Sequence, residues 1–277
     1  MTTTVDLEDV ALDVALSGPE DGTPVLLLHG FPQTSRSWAQ VSEHLEPHGF
    51  RLVAPDQRGY SPGARPADVA AYTLPTLADD VVRLAAELGL DRFHLVGHDW
   101  GACVAWYLAA HRPDLVETLT AVSVPHLAAF GWALAEDADQ QQMSRYMQLF
   151  RTEGKAEHVL LDDDARRLRE MFADGPSADD VDAYVALLAD GALTPALNWY
   201  RTMDRSFCEL PAVRVPTTYV WSDADTALGR AGAERCGRYV DADYRFVVVP
   251  GVSHWVPDRA PRELADAIAA RVLGTAS

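Results

Sequence analysis

Four short stretches carry the residue types that could do chemistry. Gly97-His98-Asp99-Trp100-Gly101 follows an apolar strand at 93–96 and opens an alanine-rich helix. Its glycine–x–aspartate–x–glycine shape is that of a sharp turn that lifts one side chain, here Asp99, above a sheet edge. The flanking glycines suit such a turn, because a Cβ at either would meet neighbouring backbone. Serine is the usual occupant, and the aspartate changes the chemistry. A carboxylate is already ionised at neutral pH. It can displace a leaving group from a saturated carbon by in-line attack and form an ester.

That ester needs a base to activate water. His254, in Gly251-Val252-Ser253-His254-Trp255 after the last predicted strand, is the best placed of nine histidines. A carboxylate to orient it comes from Trp221-Ser222-Asp223-Ala224-Asp225, where either aspartate serves. The chain order nucleophile, acid, histidine fits this arrangement. His29-Gly30-Phe31-Pro32 follows an early strand. Pro32 has no N–H, so the backbone N–H groups of Phe31 and Trp100 are the expected donors to developing negative charge. The Phe31-Pro32 bond is open to either isomer. His29 and His98 are expected to bond local backbone or brace the turn, with His98 turned away from the side of Asp99. The chemistry implied is hydrolysis of a carbon–oxygen or carbon–halogen bond through an alkyl-enzyme ester.

These stretches need a sheet whose strand ends meet. Residues 5–17 alternate apolar and polar around an opening antiparallel hairpin. Pro24-Val25-Leu26-Leu27-Leu28 is a continuous apolar run, suited to a strand buried on both faces. Further strands are predicted at 50–56, 115–123, 216–221 and 244–249, and helices at 37–45, 77–88 and 261–273. The alternation predicts an α/β fold with a mainly parallel, doubly wound sheet, which binds ligands at the carboxyl ends of its strands. From 126 to 207 only helical spacing appears, with helices predicted at 143–150, 163–171, 179–188 and 195–203. The chain therefore divides into an α/β core, 1–125 and 208–277, and an inserted helical cap, 126–207.

Composition narrows the partners. A net charge of −18 repels nucleic acid and anionic lipid. Three cysteines without a CxxC pair argue against a disulfide framework and fit a reducing, cytoplasmic setting. No signal peptide or bilayer-spanning run is evident. A small-molecule substrate is expected, acted on by a monomer or homodimer.

These residues resemble the epoxide hydrolases of the α/β-hydrolase fold over nearly the whole chain. His29-Gly30-Phe31-Pro32 looks like their HGxP motif, Asp56-Gln57-Arg58-Gly59-Tyr60-Ser61 like the loop after the next strand, and Gly97 to Gly101 like their nucleophile segment. The resemblance implies an eight-stranded sheet and favours Asp225 over Asp223. It also implies two cap tyrosines that hold and protonate the epoxide oxygen. Leu197-Asn198-Trp199-Tyr200-Arg201 is similar to the segment of one, which indicates Tyr200. The segment from Tyr146 to Gly154 resembles that of the other, which indicates Tyr146. The physical need is plain: an opened epoxide is an alkoxide, and a phenol with a pKa of about 10 is protonated at pH 7 and able to donate.

The implied activity is conversion of an epoxide to a vicinal diol without cofactor or metal. Substrate is expected to lie against Phe31, Pro32, Trp100, Trp199 and Trp255, with Trp199 serving more for packing than chemistry. Two departures stand out: Ser222 replaces a common glycine, and 127–142 matches no family segment. Neither is expected to touch the catalytic groups. A haloalkane or haloacid dehalogenase would use the same aspartate. However, Ser123-Val124-Pro125-His126 lacks the acid that some haloalkane enzymes carry there, and Trp100 stands where fluoroacetate-type enzymes have arginine. A non-catalytic small-molecule-binding protein would have no need of the whole set.

Overall fold

The buried apolar runs of the chain form the middle of an eight-stranded sheet. The computed structural model describes residues 1–275. The strands are β1 (Thr2–Asp6), β2 (Ala11–Ser17), β3 (Thr23–Leu28), β4 (Phe50–Pro55), β5 (Phe93–His98), β6 (Val116–Val122), β7 (Thr217–Ser222) and β8 (Tyr244–Val249). Their spatial order is β1-β2-β4-β3-β5-β6-β7-β8. The pairings of β1 with β2 and of β2 with β4 are antiparallel, and all others are parallel.

Alternation within β3 supplies both cores. Val25 and Leu27 face one, and Leu26 and Leu28 the other. On the first face pack α1 (Ala39–Leu45), through Val41 and Leu45, and the C-terminal helix Pro261–Val272, through Leu264 and Ile268. On the other lie α2 (Leu74–Glu87) and α3 (Trp100–His111), through Leu77, Val81, Val104 and Leu108. Each such side chain contributes roughly 1.5–3 kcal/mol by leaving water.

Strand order positions the site. The strand β3 has β4 on one side and β5 on the other, so the winding reverses there, and loops after such neighbouring strands open a crevice. Leu28 pairs with Gly97, which brings the loop after β3 beside the turn after β5.

Between β6 and β7 the chain forms α4 (Leu127–Glu136), α5 (Ala138–Met143), α6 (Tyr146–Phe150), α7 (Lys155–Met171), α8 (Ala178–Leu187) and α9 (Leu193–Arg201). Two expected boundaries change. The helix expected at 143–150 is two, because α5 stops at Ser144, whose N–H closes on Gln140 O and whose hydroxyl accepts from Gln140 Nε2. The helix expected at 163–171 begins at Lys155 and is interrupted at Asp162, after which Asp163, Asp164 and Ala165 are left-handed, with φ of 51°, 54° and 55°.

Left-handed backbone costs a residue with a Cβ about 1–2 kcal/mol. The Asp164 side chain is almost fully exposed, with one 4.0 Å ionic contact to Arg169. Asp164→Gly is therefore expected to stabilise the fold by about 0.5–1 kcal/mol after the glycine's unfolded-state entropy is counted. Thermal melts should show a Tm about 2 °C higher, while Asp164→Ala shows no gain.

Candidate active site

The turn after β5 is as tight as its glycines require. The strand ends at His98, α3 begins at Trp100, and Asp99 alone makes the corner with φ 52° and ψ −120°. A Cβ on Gly97 would lie 2.2 Å from Gly101 O, and one on Gly101 would lie 2.1 Å from Leu28 O. Only glycine at both positions lets the helix start this close to the strands. The strained corner holds the Asp99 carboxylate over the crevice.

The loop after β3 meets it there. Phe31 N–H donates to Asp99 Oδ1 at 2.8 Å across a cis Phe31-Pro32 segment. The loop is held from below by Gln57, whose backbone N–H donates to His29 Nε2 at 3.1 Å and whose Nε2 donates to His29 O at 2.6 Å. His29 thus carries its proton on Nδ1 and donates to Gly30 O at 3.1 Å. Arg58, next to Gln57 in the loop after β4, is buried and grips Asp80 through two bonds of 2.6 and 2.7 Å.

The base stands on the other side of the carboxylate. His254 Nε2 is 3.5 Å from Asp99 Oδ2, and His254 Nδ1 donates to Asp225 Oδ2 at 2.9 Å. Asp225 Oδ1 accepts from the N–H groups of Ala227 and Leu228 at 2.7 and 3.0 Å, so its orientation is fixed. Asp223 is exposed, and its Oδ1 accepts from Gly251 N–H at 2.6 Å. Of the two aspartates, Asp225 is the one brought to His254.

Several residues that sequence reasoning missed set the backbone of His254. His98 Nε2 donates to His254 O at 2.9 Å, and Ser123 Oγ donates to the same oxygen at 3.3 Å. His98 therefore does not bond locally: it reaches 156 residues along the chain, with its ring 4.9 Å from that of His254. Ser222 Oγ donates to Ser253 O at 2.9 Å, so this departure from the family pattern adjoins the loop of His254 without bonding a catalytic side chain. Only Ser222 was visible beforehand as an oddity; Ser123 carries no sequence signal.

The charges interlock. Burial would raise the pKa of Asp99, but hydrogen bonding and charge from His254, with help from His98 and the Trp100 N–H, hold it below the ordinary carboxylate value. Burial would lower His254, yet Asp225 and then Asp99 push it up to about 10. The resting site is thus an imidazolium between two carboxylates. Burial and the charge on His254 bring His98 down to about 4, so it stays neutral.

Two phenols face Asp99 from the inserted helices. Tyr200 of α9 is buried, with its ring 5.4 Å from Phe31 and 5.1 Å from Trp100. Tyr146 of α6 is 36 % exposed overall, but its hydroxyl is desolvated, and its ring lies 6.3 Å from that of Tyr200. Burial and the field of Asp99 raise both pKa values, with Asp225 adding to the effect at Tyr146 and Tyr146 itself at Tyr200. Both phenols remain protonated at any physiological pH.

A cavity of about 370 Å³ connects these groups, lined by Phe31, Asp99, Tyr146, Tyr200, His254 and Trp255 among others. Two expected wall residues stand outside it. Trp199 is fully buried behind Trp100, and its indole N–H donates to Arg58 O at 3.0 Å. Pro32 is buried in its loop and does not line the cavity. Trp100 lines a smaller adjoining space. Trp255 lines the main cavity while its N–H donates to Met171 O at 3.2 Å, and Ser253 Oγ donates to Asp174 O at 3.1 Å. No helix among the described residues is long and apolar enough to cross a membrane.

Comparison with known proteins agrees with this architecture. Residues 23–261 match the family model of the alpha/beta hydrolase fold. The AB hydrolase superfamily protein YfhM of Bacillus subtilis is 33% identical over 265 residues, covering 93% of this chain and 92% of its own. Epoxide hydrolase A of Mycobacterium tuberculosis is 31% identical over 305 residues, covering 95% and 94%. The crystal structure of epoxide hydrolase A from Mycobacterium thermoresistibile superposes with a TM-score of 0.88 at 28% identity, covering 99% of this chain and 98% of that one. The chain belongs to the α/β hydrolase fold family, and within it to the group of the epoxide hydrolases.

Proposed function

We propose that the protein converts epoxides to vicinal diols through an ester on Asp99. The observation that carries this reading is the convergence of Tyr146 and Tyr200 opposite a buried, ionised aspartate. An aspartate, histidine and backbone donors would serve any activated saturated carbon. Two desolvated phenols add what a ring oxygen needs as it becomes an alkoxide: proton donors in a site with little water.

In this reading Asp99 Oδ2 attacks one ring carbon, the carbon–oxygen bond breaks, and a tyrosine hydroxyl protonates the leaving oxygen. Oδ1 stays on the Phe31 N–H throughout. Forming the ester removes the negative charge of Asp99. His254 then loses part of the attraction that lifts its pKa, while burial still lowers it. The imidazolium gives up its proton as the first step ends, restoring the tyrosine hydroxyl that protonated the leaving oxygen, and is neutral when a base is needed. It takes a proton from water, and the hydroxide adds to the ester carbon. The tetrahedral oxyanion is held by the N–H groups of Phe31 and Trp100. Collapse frees the diol and restores the carboxylate. The helices of 126–207 serve as a lid that excludes bulk water.

One turnover with enzyme in excess of epoxide, run in ¹⁸O-water, tests this. The diol should be unlabelled and the label should appear in Asp99, because the new diol oxygen comes from its carboxylate. Solvent label in the first diol, or halide release from a haloalkane with no diol from any epoxide, would overturn the reading.

A further inference from the structure

The space above Asp99 has two very unequal parts. The main cavity, about 370 Å³, runs from Asp99 past Leu160 towards Trp255. A second space of about 30 Å³ meets it at the same three residues, Asp99, Tyr146 and Tyr200. Phe130, Met203, Phe207 and Leu228 are among the residues that line the small one. The nucleophile and both phenols therefore stand at a joint, with a long lobe on one side and a stub on the other.

We propose that this joint sets the substrate class: epoxides whose one ring carbon bears a long apolar substituent and whose other bears hydrogen or at most a methyl group. The proposal rests on the epoxide reading above. With the ring oxygen on the phenols and a ring carbon over Asp99 Oδ2, substituents on the two ring carbons point into opposite lobes. About 30 Å³ holds one or two water-sized groups. A propyl chain does not fit without displacing Met203 or Phe207, and close-packed walls resist even one added methylene. Met203 is buried, and the ring of the half-buried Phe207 lies edge-on against Trp100 at 5.4 Å, so both side chains bound the stub.

Three isomeric epoxyoctanes separate size from hydrophobicity, because all share one formula. Cis-2,3-epoxyoctane places a methyl in the stub, and cis-4,5-epoxyoctane a propyl. The expected order of kcat/KM is 1,2-epoxyoctane and cis-2,3-epoxyoctane within about tenfold of each other, and the 4,5-isomer about 100-fold or more below. Phe207→Ala and Met203→Ala should each raise the ratio of the 4,5-isomer to the 1,2-isomer at least tenfold. Phe207→Leu and Met203→Val should shift it in the same direction by less, and they serve if an alanine variant does not fold. A 4,5-isomer within threefold of the 1,2-isomer in the parent enzyme would overturn the proposal and leave the epoxide chemistry standing. So would discrimination that none of these variants alters. Absence of diol from all three isomers, with no ester on Asp99, would instead overturn the epoxide reading and this proposal with it.

Discussion

His254→Ala is expected to stop the enzyme halfway. Asp99 is ionised without help from a general base, so alkylation proceeds, whereas hydrolysis of the ester has lost its base. Incubation with substrate at pH 8 should raise the mass of the intact protein by the mass of one epoxide, on the peptide that carries Asp99. Steady-state turnover should fall by about 10⁴-fold or more. The variant loses the cation beside Asp99, so the carboxylate pKa rises, and pH 8 is chosen to favour its ionised form. Turnover within tenfold of the parent, with no adduct at any time, would remove His254 from the proposed role.

Asp99→Asn should cost about as much in kcat/KM, about 10⁴-fold or more, because an amide is a poor nucleophile. It has a second consequence that a merely structural aspartate would lack. Burial lowers the pKa of His254, and Asp225 and Asp99 together lift it to about 10. A neutral amide removes the share of Asp99 and leaves burial unopposed by that charge. The midpoint should fall towards the ordinary imidazole value of about 6.5. Nitrogen-15 NMR titration of the His254 ring reads it directly. The variant has the charge state of the ester, so the same midpoint should govern the acid limb of parent turnover whenever hydrolysis is the slow step. Below that midpoint the base is protonated and turnover falls; above it turnover is level. An unchanged midpoint near 10 in Asp99→Asn would break this link between ester formation and base activation.

The central sheet was legible because runs such as Val25 to Leu28 are buried on both faces and admit few other readings. Asp99 and His254 were legible for a related reason. A glycine-flanked corner after one strand and a histidine after the last must sit at the same sheet edge. Spacing could not separate Asp223 from Asp225, which are two residues apart in one loop. What separates them is tertiary: the N–H groups of Ala227 and Leu228 turn Asp225 inward, and Gly251 holds Asp223 at the surface. The left-handed run after Asp162 contradicts local preference, so no reading of propensity finds it. The bonds of His98, Ser123 and Ser222 to the loop around His254 join residues far apart in sequence and leave no periodic trace. Trp199 is expected at the substrate wall but more for packing than chemistry, and only the packing is seen: successive helical residues face different ways, and beside Tyr200 its indole turns to Arg58.

The two neighbours of His254 are fastened at and just beyond the end of α7, Trp255 to Met171 O and Ser253 to Asp174 O. If that end of the inserted helices were to move outward, both ties would break or the imidazole would be drawn from Asp99, so in the proposed reading His254 keeps its place only while these helices lie over the crevice.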